Sequence, residues 1–458
     1  MAFVFILLIV LLAVEAGFLT LSFRKLSPAK NSWTITRLIV NFSQLLIYII
    51  MLLLPSIDTS FRFKGLIITL ILRIIVSVVF ALVYRKKTNP KKTSAKIFSL
   101  IISFILIPSS MIPAFIFSDY AGRPTTGPYT VNHCNAILID KSRLETFEND
   151  GSYREVPIYF FYPAEAKEGE KFPLVVFDHG AFGYYESNAS SYLELASNGY
   201  VVVSLEHPYH SFFTHDTDGK LITVSPDFMN SVMNTQDVSE EEIYKISREW
   251  MNIRVADMNF ALDTIIGAAN NKTTDNFWFS DDDSENLVMT ALSHIDTDKI
   301  GLMGHSMGGA TSVEVGKQRD DIDAVIDIDG TMLGSIIGAE GNKYILEDVT
   351  YDIPLFEIEN ENAHKEAIQA IEEDYPYPNN MIKESATIYY GTWFTGALHM
   401  DYTDLPLFSP FLAKMLGSGD VDNEYIIDTL NSLEVDFYDC YLKGIGQFSV
   451  EDHYQGVK

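Results

Sequence analysis

Cysteine is nearly missing from this 458-residue chain, which has only Cys134 and Cys440. That excludes a disulfide framework and a multi-cysteine metal cluster. The two thiols either tie the region after residue 130 to the last helix in an oxidising compartment or stay unpaired. Basic residues are also scarce, 33 Lys and Arg against 61 Asp and Glu, giving a net charge of −28. A surface of that sign repels nucleic acid and anionic surfaces. No internal repeat is present, and the acidic "SDDDSEN" at 280–286 reads as a solvated loop.

Apolar sequence is abundant at the start. Four stretches, Phe3–Phe23, Leu38–Leu54, Leu66–Tyr84 and Ile97–Phe117, each come close to the ~20 residues that cross a bilayer core. We read 1–118 as a transmembrane region of four helices, 119–130 as a linker ("AGRPTTGPYT" at 121–130) and 131–458 as an extracytoplasmic domain. A cleaved signal peptide is the alternative for the first stretch, but that stretch has no basic n-region and is longer than an h-region.

Orientation follows from the basic residues. Arg24, Lys25 and Lys30 follow the first stretch, and Arg85, Lys86, Lys87, Lys91, Lys92 and Lys96 separate the third and fourth. Only Arg62 and Lys64 lie between the second and third. Loops rich in Lys and Arg stay cytoplasmic, so both the N-terminus and everything after Phe117 fall outside. Residues 1–118 hold 13 of the basic residues and 2 of the acidic ones. The other 340 hold 20 and 59, a net of −39.

Glu15 and Arg73 are the charges inside the expected spans. Mutual pairing would offset the cost of burying them, although they differ by about 9 Å in depth at ~1.5 Å per residue. Snorkelling of Arg73 is the alternative.

After the linker, short apolar runs alternate with helical patterns. Strands are expected at 156–163, 173–180, 200–207, 299–306, 324–330, 354–360 and 386–391. Helices are expected at 192–197, 240–269, 308–318, 363–373 and 424–444. Alternation of this kind, with mostly continuous apolar runs, predicts an α/β fold on a mostly parallel sheet.

The segment "GLMGHSMGGA" at 301–310 sits where an apolar strand meets a helix, and it contains Gly304, His305, Ser306, Met307 and Gly308 in the pattern G-x-S-x-G. A serine on so sharp a turn tolerates only small neighbours, so the glycines answer a steric demand, and the serine faces a helix N-terminus that favours negative charge. Ser306 is therefore the candidate nucleophile. The Met307 amide supplies one oxyanion donor, and the second is expected from Ala181 in "DHGAFG" (178–183), at the end of an earlier strand. His179 reads as structural because it precedes the serine.

The base follows the serine in this motif's order. His399, in the loop "GTWFTGALHMDYTD", is the candidate over His364, which opens a helix, and His453, in the C-terminal tail. For the acid, Asp329 ends the strand after the elbow helix, while Glu359 or Glu361 ends the next; Asp327 would be inside its strand. Periodicity leaves Asp329 and Glu361 open.

"DHGAFG", "ELASNGYVVVSLEH", "GHSMGGA", "AVIDIDGTM" and "GALHMDYTD", in that order over Phe172–Asp404, resemble the platelet-activating factor acetylhydrolase family of the plasma and intracellular type II kind. The resemblance implies an α/β-hydrolase whose acid ends the strand just after the elbow helix. It implies a triad of Ser306, Asp329 and His399 with the Ala181 and Met307 amides as oxyanion donors. It further implies no metal or other cofactor, and removal of short or oxidised acyl chains from phospholipids. The chain departs from the family at Ala181 and Met307, where bulkier residues are common, along His210–Asp283, and in its four spans, which point to a membrane-anchored bacterial homologue.

His207, His210 and His215 are spaced too unevenly to read as metal ligands, so a surface or packing role is expected. "LPLFSPFLAKML" (405–416) lines an acyl pocket, touches lipid or is ordinary core. The expectation is thus a membrane-anchored, outward-facing serine carboxylic-ester hydrolase acting on lipid esters. Its rivals are an esterase for polyester, xenobiotic or cell-wall acyl groups and an inert membrane scaffold or sensor that keeps the fold.

Overall fold

The computed structural model describes residues 2–24, 30–235, 238–271 and 273–457. Lys25 and the side chain of Arg24, both used above to orient the first span, lie outside the described residues. The chain forms two compact units, Met1–Ala121 with Leu407–Leu412, and Gly122–Pro406 with Ala413–Lys458.

The first unit contains α1 (Ala2–Arg24), α2 (Lys30–Met51), α3 (Phe61–Val83) and α4 (Thr93–Ser110), each long and apolar enough to cross a membrane. Its packing inverts that of a water-soluble bundle. Ile39, Leu46, Ile68, Leu82 and Ile105 face outward, while Glu15, Asn41, Gln44, Ser77 and Ser103 are buried. Such an arrangement suits a surrounding of lipid, in which polar groups must find partners inside the protein.

Glu15 pairs with Arg73, and also with Arg37, whose Nη1 lies 2.5 Å from Glu15 Oε2. The sequence reading left Arg37 out by starting the second span at Leu38. The helix Lys30–Met51 includes the polar "KNSWTIT" in its first turns, and its buried face carries Arg37, Asn41 and Gln44. Leu407–Leu412, expected in the outer domain, belongs to this unit. Phe408 packs on Phe117 at 4.9 Å, and the Ser409 hydroxyl donates to the Ile116 carbonyl at 2.7 Å.

The second unit is built on strands β1 (Val131–Leu144), β2 (Tyr153–Pro163), β3 (Phe172–Asp178), β4 (Val201–Leu205), β7 (Phe277–Trp278), β8 (Ile295–His305), β9 (Ala324–Ile328), β12 (Leu355–Glu359), β13 (Tyr389–Thr395) and β14 (Tyr454–Gln455). Two small hairpins, β5 (Phe213–His215) with β6 (Leu221–Thr223) and β10 (Ile336–Glu340) with β11 (Lys343–Leu346), stand apart. Among the described residues the large sheet runs β14-β13-β12-β9-β8-β3-β4-β2-β1-β7. It is parallel from β4 to β14 and antiparallel from β4 to β7. Every residue of β3, β4, β9 and β12 is buried, as expected of strands covered on both faces. This is an α/β-hydrolase fold preceded by a helical region.

Register brings the site together. His305 of β8 pairs with Ile328 of β9, which pairs with Ile358 of β12. Ser306, Asp329 and Glu359–Asn360 therefore emerge side by side at the carboxyl ends of parallel strands, where α/β sheets place their ligands.

Three features differ from expectation. The 14-residue β1 has no counterpart among the expected strands because its mixed, charged sequence lacks a continuous apolar run; it lies toward one side of the sheet, paired to β2 and to the two-residue β7. The strand expected at 386–391 runs instead over Tyr389–Thr395, and Ala386 makes only an isolated bridge to Tyr351. The acidic tract read as a loop starts the helix Asp282–Ser293, with the Asp281 side chain accepting from the Ser284 N–H. Carboxylates are favourable at a helix N-terminus, where they face free N–H groups and the positive end of the dipole.

Candidate active site

Ser306 is the single residue between β8 and the helix Met307–Gln318, with φ 58° and ψ −124°. So tight a turn presses the helix start against its own strand and against β3. A methyl group at Gly304 would overlap the Gly308 backbone, and one at Gly308 would overlap the Asp178 carbonyl. The G-x-S-x-G spacing is thus a packing requirement of the strained turn.

Asp329, also at positive φ (58°), directly follows β9. Its Oδ2 accepts from His399 Nδ1 at 2.5 Å. Because a carboxylate only accepts, the neutral imidazole carries its proton on Nδ1 and its lone pair on Nε2. Asn360 holds the acid from the other side, its backbone N–H reaching Oδ1 at 2.6 Å and its Nδ2 reaching Oδ2 at 2.7 Å. Burial pushes the Asp329 pKa up, but the hydrogen bonds from His399 and Asn360 outweigh it and hold the carboxyl below its ordinary value. Burial pulls His399 down, but Asp329 raises it above the ordinary imidazole value.

The His399 side chain is 42 % exposed, opening into the cleft. Its backbone carbonyl accepts from His305 Nε2 at 3.0 Å, so the residue beside Ser306 braces the loop that carries His399. Burial, with His399 nearby, pushes the His305 pKa down to about 3, so its ring stays neutral.

The loop after β3 is held from beneath by Arg254, fully buried on the helix Glu240–Asn271. Its guanidinium reaches Asp178 Oδ1 at 2.7 Å, the His179 carbonyl at 2.5 Å and the Gly180 carbonyl at 3.3 Å. His179 Nδ1 donates to the same Gly180 carbonyl at 2.7 Å, and its Nε2 meets the Ser211 hydroxyl at 2.8 Å. In a trans peptide the C=O and N–H point opposite ways, so anchoring the Gly180 carbonyl aims the Ala181 N–H away from Arg254. Ala181, Ser306, Met307, Asp329 and His399 all line one cavity of ≈ 500 Å³.

The remaining sequence candidates fall elsewhere. Glu361 accepts from the Gly396 N–H at 2.5 Å and from Lys365, while Glu359 meets His364 Nδ1 at 2.9 Å. Asp327 is buried below Asp329 and accepts from the Gly330 N–H at 3.1 Å. His453 stacks on Trp393 at 5.3 Å. His207 is fully buried between Asp178 and Asp257, at 2.9 Å from each, and Asp257 is paired in turn with Arg154. His210 lies flat on Phe228 at 3.7 Å. Neither of these two is at the surface. Among the described residues no three His, Cys, Asp or Glu side chains group as a metal site, and Cys134 and Cys440 are both free thiols.

Asn360 and Arg254 were missed by sequence reasoning. Asn360 follows a strand end and could have been found as a helix N-cap; Arg254 had no local signal.

Residues 152–453 match the family model "Platelet-activating factor acetylhydrolase, isoform II". The chain is 26 % identical over 290 residues to platelet-activating factor acetylhydrolase of Canis lupus familiaris, covering 60 % of this chain and 58 % of that protein. It is 24 % identical over 294 residues to that of Bos taurus, covering 61 % and 59 %. The match thus spans under two thirds of these relatives' length. A ferulic acid esterase from Streptomyces cinnamoneus superposes on 71 % of this chain and 93 % of its own at 17 % identity, with TM-score 0.49.

Proposed function

The chain belongs to the platelet-activating factor acetylhydrolase, isoform II, family, and from that premise we propose that it is a serine carboxylic-ester hydrolase that removes short acyl groups from lipid esters. The observation that carries this reading is the hydrogen bond from His399 Nδ1 to Asp329 beside Ser306, with all three residues facing one cavity.

In this mechanism the Ser306 hydroxyl attacks the ester carbonyl while His399 Nε2 takes its proton. The amides of Ala181 and Met307 receive the developing oxyanion, and Asp329 stabilises the imidazolium. The imidazolium then protonates the departing alcohol. Water, deprotonated by His399, attacks the acyl-Ser306 ester and releases the acid.

We place the enzyme in the cell membrane, multi-pass, on the support of α1–α4, with the hydrolase unit extracytoplasmic on the support of the Lys and Arg distribution in the connecting loops. Ser306→Ala tests the assignment. It should abolish p-nitrophenyl acetate hydrolysis and fluorophosphonate labelling while keeping the wild-type melting temperature. Hydrolysis retained in that variant would refute it.

A further inference from the structure

Where α1 ends and α2 and α4 begin, the first unit buries more positive charge than it can neutralise. Lys96, 8 % exposed, donates from Nζ to the Ser22 carbonyl at 2.9 Å. Among the described residues it has no carboxylate partner. The first unit holds only three acids. Glu15 is already shared by Arg37 and Arg73, and Asp58, in the connection between α2 and α3, and Asp119 both pair with Arg62. Residues 25–29 contain neither Asp nor Glu. A buried ammonium without a counter-charge is unfavourable, so this end of the bundle calls for an anion.

A narrow cavity of ≈ 10 Å³ opens at the same place, lined by Ser22, Trp33, Arg37, Lys96 and Ser99. Ser22 Oγ and Trp33 Nε1 are buried there with no hydrogen-bond partner among the described residues. Lys91 Nζ sits 3.1 Å over the Trp33 ring. The ammonium, guanidinium and indole N–H can only donate. Water could fill the space but brings no charge, whereas an anionic oxygen both accepts these bonds and supplies the missing negative charge.

We propose that this cavity receives one oxygen of a phosphate group, held by Lys96, Arg37, Trp33 Nε1 and Ser22 Oγ, with the rest of the group at the mouth. Its source is a phospholipid headgroup or inorganic phosphate.

The test uses the full chain in vesicles of a glycolipid without phosphate, in the same vesicles with inorganic phosphate added, and in vesicles of phosphatidylglycerol. Wild type should melt a few degrees higher with phosphatidylglycerol than with glycolipid alone if the headgroup is the ligand, or with inorganic phosphate if the free ion is. Lys96→Met should remove the increment while leaving p-nitrophenyl acetate hydrolysis unchanged. Trp33→Phe, which deletes one donor, should reduce the increment and decides the matter should Lys96→Met fail to fold. No increment in wild type with either probe, or an equal increment in wild type and the variants, overturns the proposal.

Discussion

Asn360 grips Asp329 twice, by backbone N–H at 2.6 Å and by side-chain amide at 2.7 Å, while its own Oδ1 accepts from the N–H groups of Asn362 and Ala363. One side chain therefore caps the helix Glu361–Glu372 and fixes the carboxylate that holds His399. Hydrogen bonds to charged groups contribute about 1.5–3 kcal/mol. Asn360→Ala should accordingly lower kcat by about 10–100-fold, with KM little changed, and lower stability by about 1 kcal/mol through loss of the cap. Steady-state kinetics beside a thermal melt check this; a lower melting temperature at unchanged kcat would reduce Asn360 to a cap.

The pH–rate profile should have its acid limb above the ordinary imidazole value of about 6.5, because Asp329 raises the His399 pKa and a base must be neutral to act. Asp329→Asn should move that limb to lower pH and reduce kcat by about 10⁴-fold. The stability effect has the opposite sense. With its folded pKa raised, His399 contributes stability that is fully present below about 6.5 and is lost as pH rises through the folded value. A limb unmoved in the Asp329→Asn variant would show that another group titrates there.

How much could be read from the sequence depended on whether the determinant was local. Gly304, Gly308 and Ser306 are legible together because the strained turn tolerates no side chain where the helix start meets Asp178. His399 could be named from chain order, Asp329 only from the family resemblance, since periodicity left it open against Glu361; their contact at 2.5 Å is a fact of register among β9, β12 and β13. Arg254 was invisible because its partners lie some 75 residues earlier in the chain. Arg37 was lost to a span boundary drawn one residue past it. The acidic tract at 280–286 showed its charge but not its place, since the same residues suit a solvated loop or a helix N-terminus.

Buried carboxyls give the fold its own pH response. Burial pushes Glu206 up to about 7 and Glu434 up to about 8. Each is protonated in the folded chain where the unfolded chain is already ionised. The stability they add is present below about 4.3 and is lost as pH rises to the folded values, on the order of a few kcal/mol for each. The melting temperature should therefore fall between pH 6 and pH 8. Glu434→Gln retains an acceptor for the Ser191 hydroxyl, 3.2 Å away, and should flatten that fall. Parallel melting curves for the variant and wild type across this range would count against the assignment.

Arg254 ties stability to the loop that carries the proposed oxyanion donor Ala181, and a double substitution separates the two roles. Arg254→Met alone leaves Asp178 with only His207 at 2.9 Å and should cost about 3–5 kcal/mol, the range for breaking a buried pair. Adding Asp178→Asn removes the orphaned charge, so the melting temperature should recover in large part. Activity should not recover with it, because the carbonyls of His179 and Gly180 still lack the guanidinium, leaving the peptide that carries the Ala181 N–H to be held by His179 Nδ1 and the Gly183 N–H alone. A misplaced oxyanion donor costs about 10²–10³ in kcat, so the double variant should be folded, should bind ester with near-normal KM, and should turn over slowly. Full turnover in a folded double variant would mean the loop holds its shape without Arg254, leaving only a structural role for the Arg254–Asp178 pair.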